Sequence, residues 1–237
     1  MEKFFHGLKL TGIKDDLARN IVSLRHSENL FDDLSDNPDD WNIAIRWEQT
    51  SKSPRFTSSQ PVIDRPFEQA EWDSAIGYPF THWMESRFSN GNFGVWYGAT
   101  NIETTVYETA YHWIKKLLAD AGFVHNDVRI QRKVYWVKCQ AALIDLRAAV
   151  QDYPALIDPE NYAFTQQIGA RLHRERHPGW ITRSARCDGD AVGILNASLL
   201  SEPRQACFLT YIIDGDKIRI EKQKGKKWMS INNPAQL

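Results

Sequence analysis

The 237-residue sequence predicts an α+β fold, on three observations. Helical and strand periodicities are mixed along the chain without the regular strand–helix alternation of a doubly wound sheet. The passage "FGVWYGATNIET" (93–104) joins an apolar, aromatic, glycine-bounded run to the start of a helix. With 42% hydrophobic and 12% aromatic residues, the chain can bury a large core.

Residues 14–34 read as an amphipathic helix, because Leu17, Ile21, Leu24 and then Leu30 and Leu34 recur at near-helical spacing among charged residues. "SDNPDD" (35–40) and the Ser-rich "TSKSPRFTSSQP" (50–61) read as breaks. These set an N-terminal helical extension over residues 1–60 and a main domain over 61–237. In the main domain Phe93 to Ala99 reads as a buried strand. Thr100-Asn101-Ile102-Glu103 has the form of a capping box, and the helix it starts is expected to run to about Ala121, ended by Gly122. Val128 to Leu146, rich in β-branched and aromatic residues, gives one or two strands. Residues 161–176 return to a helical period through Phe164, Ile168 and Leu172, stopped by Pro178-Gly179. Short strands are expected at 180–186, 191–196 and 206–213.

Composition excludes several classes of function. Lys plus Arg is 29 against 30 for Asp plus Glu, a net charge of -1, so the basic footprint of a duplex-binding protein is missing. The basic run "RIEKQKGKKWMS" (219–230) reads as a solvated terminal segment. No apolar run approaches the ~18 residues of a membrane span, and the first apolar patch is too short for a signal peptide. Cys139, Cys187 and Cys207 form no metal-type pair, and a reducing cytoplasm is the expected compartment. "HRERH" (173–177) spaces two histidines like helix-borne zinc ligands, but Pro178 ends the helix and no third ligand is evident, so no metal is expected.

The functional signal lies in "RFSNGNFGVWYGATNIETTVYETAYHW" (87–113). On the predicted helix Ile102, Val106, Ala110, Trp113 and Leu117 form one stripe, and Glu108 points away from it. A lone outward Glu is normally a solvated side chain. Here tyrosines flank it, Trp96 and Tyr97 lie in the strand feeding the helix, and Arg87 opens the preceding loop. Arg suits phosphate oxygens, an aromatic ring stacks on a flat base, and a carboxylate stabilises positive charge developing on a sugar carbon. Together they suit a nucleotide whose glycosidic bond is cut.

This ordered set resembles the RES-domain family of bacterial toxins, named for an Arg, a Glu and a Ser. The Arg-aromatic start is Arg87-Phe88, the aromatic strand ends around Tyr97, and "ETTVYET" carries Glu108. "TQQIGARL" (165–172) followed by "GWITRSARCDGDAVGIL" (179–195) resembles the family's helix–strand passage, with Ser184 as the third residue and Ser198 in "NASLL" as the alternative. The resemblance covers about residues 62–212. It implies an ADP-ribosyltransferase-like split mixed β-sheet with flanking helices, and NAD+ as substrate rather than as a resident cofactor. Carried onto this chain, it makes Arg87, Glu108 and Ser184 the catalytic residues, with Arg65, Tyr97 and Arg186 binding NAD+. Nicotinamide leaves as a neutral molecule, so charge stabilisation at the sugar is the main task, worth roughly 3–4 kcal/mol from a preorganised carboxylate. The acceptor is left open between water, phosphate and a protein. The resemblance further implies a cognate antitoxin of helix-turn-helix type and allows a homodimer; the charge balance and the lack of a long apolar run lead to no direct nucleic-acid or membrane partner being expected. A non-catalytic interaction module on the same fold is the alternative from another class.

Overall fold

The computed structural model describes residues 2–22, 70–114 and 129–232. In chain order the elements are α1 (Glu2–Phe5), β1 (Lys9–Val22), a π-helical turn (Asp73–Gly77) running into α2 (Tyr78–Thr81), the short hairpin β2 (Glu85–Ser86) and β3 (Ser89–Asn90), β4 (Trp96–Ala99), α3 (Ile102–His112), β5 (Arg129–Asp145), α4 (Ala163–Arg174), β6 (Gly179–Arg183), β7 (Asp190–Ile194), β8 (Leu200–Asp214), β9 (Lys217–Gln223) and β10 (Lys226–Asn232).

The longest strand, β5, organises the sheet. One edge pairs antiparallel with β1 from Lys9↔Asp145 to Val22↔Arg132. The other edge changes partner: β8 takes Arg129 to Cys139, and β6 takes Ile144 and Asp145 in parallel. From β6 the sheet continues antiparallel through β7 to β4, and β4 meets β1 again at Ala18↔Ala99. Five strands therefore close on themselves, while β8, β9 and β10 extend as an antiparallel wing. One parallel pairing in an otherwise antiparallel sheet, with helices against its faces, makes the fold mixed α+β.

Three apolar clusters hold the layers. Leu17, Trp96, Tyr135, Val137, Ile181 and Val192 pack inside the closed part of the sheet. Ile168 and Leu172 of α4 pack with Phe88, Leu156 and Trp180. Val106 and Ala110 of α3, with Trp113 just past its end, pack on Val134 of β5 and on Leu209 and Tyr211 of the wing. The stripe read on α3 is thus its buried face over the described residues; Leu117 and the expected stop at Gly122 lie outside them.

The structure corrects several expectations. Residues 14–22, expected to be helical, belong to the 14-residue strand β1. Leu17 and Ile21 satisfy a helical period, but an unbroken ladder with β5 supplies backbone partners along the whole segment, and that pairing overrides the local period. The rest of the expected N-terminal helix, both breaks and the boundary at residue 60 lie outside the described residues. The strand expected over 93–99 is confined to Trp96–Ala99, and 128–146 holds one strand. The expected capping box does not form: Asn101 is the cap, its Oδ1 accepting the Thr104 N–H at 2.7 Å, and Glu103 is exposed. The basic terminal run, solvated as expected over residues 222–227, forms the β9–β10 hairpin. No described helix is long and apolar enough to cross a membrane.

Candidate functional site

A cavity of about 280 Å³ opens between α3, β4, the β1–β5 pair and the start of α4. Arg87, Tyr97 and Glu108 all line it. Glu108 arrives there because the cap starts α3 at Ile102 and Val106, Ala110 and Trp113 turn to the wing, leaving Glu108 on the opposite side.

Ser184 sits behind the carboxylate. It follows β6 in a loop closed by its own N–H on the Gly189 carbonyl at 2.7 Å. Its hydroxyl donates to Glu108 Oε1 at 2.6 Å and accepts the Arg186 N–H at 3.1 Å. The loop reaches α3 at Gly189, where a Cβ would stand 2.1 Å from Thr104 Oγ1. Ser184 is buried and committed to orienting the Glu108 carboxylate. Ser198 is exposed, donates to Asn196 Oδ1 at 2.8 Å and does not line the cavity.

Arg87 is placed by α4. Thr165 Oγ1 donates to the Arg87 carbonyl and Gln166 Nε2 to the Ser86 carbonyl at 3.2 Å. At Gly169 a Cβ would lie 1.8 Å from the Phe88 carbonyl oxygen, so only glycine lets the helix approach this turn. The Arg87 guanidinium stacks on Tyr162 at 4.6 Å and donates through Nη1 to the Asp158 carbonyl at 2.6 Å. Burial lowers its pKa, opposed by the nearby Tyr162 and Glu108. Its Nη2 is buried with no hydrogen-bond partner among the described residues.

Tyr97 presents its ring to the cavity while its hydroxyl is held, accepting the Phe88 N–H at 3.1 Å and sharing a 2.9 Å hydrogen bond with Ser86 Oγ. Burial pushes its pKa up to about 12, so it stays a neutral phenol. Arg186 lies behind the cavity wall, stacked on Tyr111 at 3.2 Å and donating to the Tyr162 hydroxyl at 3.3 Å. Arg65 is outside the described residues. His173 of the "HRERH" segment stacks on Phe93 at 4.4 Å, and no group of three His, Cys, Asp or Glu among the described residues is placed to hold a metal.

Arg19, Arg132, Tyr162 and Thr182 are among the lining residues that escaped the reading of the sequence. Arg19 came within a segment expected to be helical, and no local pattern marks any of the four. Arg19 Nη1 donates to the Tyr97 carbonyl at 2.6 Å, tying β1 to β4 just beyond their single pairing. Arg19 Nε and Thr182 Oγ1 are, like Arg87 Nη2, buried without a partner among the described residues. Such groups are rare, because an unmade buried hydrogen bond costs about 1–3 kcal/mol. Three of them on one cavity mark places where a ligand's polar atoms fit. Among the described lining residues Arg19, Arg87 and Arg132 face one carboxylate, Glu108, while Arg183 is paired with Asp190, which gives the cavity an anion's complement.

The RES domain family matches residues 63–214 of the chain. No curated protein matches it. Among solved structures it is similar to the crystal structure of the M. tuberculosis MbcT–MbcA toxin–antitoxin complex, with a TM-score of 0.45 and 9% identity over 85% of this chain and 86% of that one.

Proposed function

The chain belongs to the RES domain family, and on that premise we propose that it cleaves NAD+ at the nicotinamide–ribose bond and serves as the toxin of a toxin–antitoxin pair. The observation that carries this reading is the Glu108 carboxylate, held at 2.6 Å by the Ser184 hydroxyl on the wall of an arginine-rich cavity. With Oε1 engaged by Ser184, Oε2 faces the positive charge that develops on the ribose carbon as nicotinamide departs. The leaving group is neutral, so no strong general acid is required. Arg87, whose buried Nη2 has no partner among the described residues, and Tyr97 hold the nucleotide against that carboxylate. Water or inorganic phosphate takes the ADP-ribose; transfer to a cellular protein is the alternative outcome for the same first step.

NAD+ is a cytoplasmic metabolite, and a protein that destroys it needs a partner in the producing cell that blocks the cleft. The helix-turn-helix character of that antitoxin comes from the resemblance alone. The test is expression in a bacterium lacking the partner. Arrested growth with a collapsing NAD+ pool, both absent with Glu108→Gln at equal soluble expression, supports the reading. Unchanged growth and NAD+ with abundant soluble wild-type protein replaces it with an interaction module on the same fold.

A further inference from the structure

Arg19 and Arg132 come from neighbouring strands and line the same cavity as Glu108. Among the described residues their hydrogen-bond partners are all neutral. Arg132 donates through Nε to Asn20 Oδ1 at 3.1 Å and through Nη2 to the Asn20 carbonyl at 3.0 Å. Arg19 gives Nη1 to the Tyr97 carbonyl, lies 5.5 Å over the Trp96 ring, and has its Nε buried with no partner among the described residues. The Asn20 amide is itself pinned, donating to the Tyr211 hydroxyl at 2.9 Å and the Thr105 hydroxyl at 3.3 Å. Among the described residues neither guanidinium meets a carboxylate. The other arginines of the cavity differ: Arg183 is paired with Asp190 at 3.0 Å, and Arg87 has Glu108 nearby.

Buried charges in proteins are normally paired, because desolvating an ion without a counterion is costly. Here burial holds both arginines down at about 10, and Arg132 repels Arg19 further. Among the described residues the two cations stand together with no anion against either guanidinium. A diphosphate bridge brings two negative charges and several acceptor oxygens, which match guanidinium N–H groups.

We propose that Arg19 and Arg132 form an anion subsite, at the β1–β5 side of the cavity, that takes the diphosphate of the substrate. The choice of ligand rests on the NAD+ reading above; the demand for an anion rests on the two arginines alone. The subsite works in binding and selection, apart from the Glu108–Ser184 pair that acts at the glycosidic bond.

The test compares ADP with adenosine, two probes that differ by the diphosphate, in calorimetric titrations of the full chain. ADP is expected to bind wild-type protein at least tenfold more tightly than adenosine, with the advantage falling as salt rises. Arg132→Gln removes at least tenfold of the ADP affinity and leaves adenosine within twofold. Should that variant fail to fold, Asn20→Asp serves in its place. It is nearly isosteric, the Tyr211 hydroxyl can turn to donate to it while Thr105 keeps its own bond to the Ile102 carbonyl, and it sets a carboxylate against Arg132. It is expected to raise Tm while erasing the preference for ADP. Equal wild-type affinity for ADP and adenosine, or an ADP preference intact in a folded Asn20→Asp protein, overturns the subsite. None of these readings needs turnover, so the two proposals fail separately. An ADP preference that depends on Arg132 without NAD+ cleavage removes the chemistry and keeps the subsite. Cleavage with an unaltered KM for NAD+ in Asn20→Asp removes the subsite and keeps the chemistry.

Discussion

At Ser184 one hydroxyl donates to Glu108 and accepts the Arg186 N–H, two bonds that alanine cannot make. Ser184→Ala leaves a buried N–H unpaired, for about 1–3 kcal/mol of stability, and frees the carboxylate to rotate. The expected result is a lower Tm and a kcat reduced about tenfold, with KM for NAD+ changed little, since loss confined to kcat marks an interaction made in the transition state. A rise in KM alone would place the serine on the substrate instead. Tyr97 gives a pH prediction. Its folded pKa of about 12 lies above that of a free tyrosine, ~10. Between those values the unfolded chain has released the proton and the folded one has not, so stability falls as pH rises through the window. Tyr97→Phe is expected to flatten part of that fall in urea titrations at pH 9 and 11. Tyr211, raised to about 12 by burial as well, contributes in the same direction, and Arg19 and Arg132, lowered to about 10, in the opposite one. Arg87, Tyr97 and Glu108 were legible in the sequence because one loop–strand–helix unit carries all three, and local chemistry spaces them. Arg19 and Arg132 were not, because they meet only through a pairing between strands more than a hundred residues apart.

Local signals also decided which elements could be read. The period of α4 is intact from Thr165 through Ile168 to Leu172, all buried, and its helix was found close to its observed bounds. The start of α3 was placed one residue early because Thr100 and Asn101 are both competent caps; the extended backbone and the 2.7 Å bond belong to Asn101. Asn101→Ala is therefore expected to cost about 1 kcal/mol in chemical denaturation, and Thr100→Ala clearly less. A reversed order would contradict the observed cap. In α4, Gly169→Ala improves helix propensity but drives a methyl group into the Phe88 carbonyl. The contact wins: a loss of about 1–3 kcal/mol is expected, with catalytic activity falling further because the Arg87 turn is displaced. β1 was misread for the opposite reason. Leu17 and Ala18 are consecutive and both buried, so both faces of the strand are covered there and the alternation that marks a half-buried strand is lost.

The molecule as a whole depends on that misread strand. β1 runs along β5, touches β4, and carries Leu17 into the core and Arg19 into the cavity. Removing residues 1–22 is expected to abolish cooperative thermal unfolding rather than trim an accessory segment, as circular dichroism would show; a truncated chain that melts like the full one would contradict this. The same closure explains the site: the capped α3, the turn held by α4 and the Ser184 loop reach one cavity only because β4, β7 and β6 lie side by side. The central claim is that the Glu108 carboxylate drives departure of nicotinamide. Purified protein free of any partner should be incubated with NAD+, with and without phosphate, and free nicotinamide followed beside Glu108→Gln. Release by wild type, reduced at least a hundredfold in a variant that melts like it, is the predicted result; equal release by both proteins would contradict the claim.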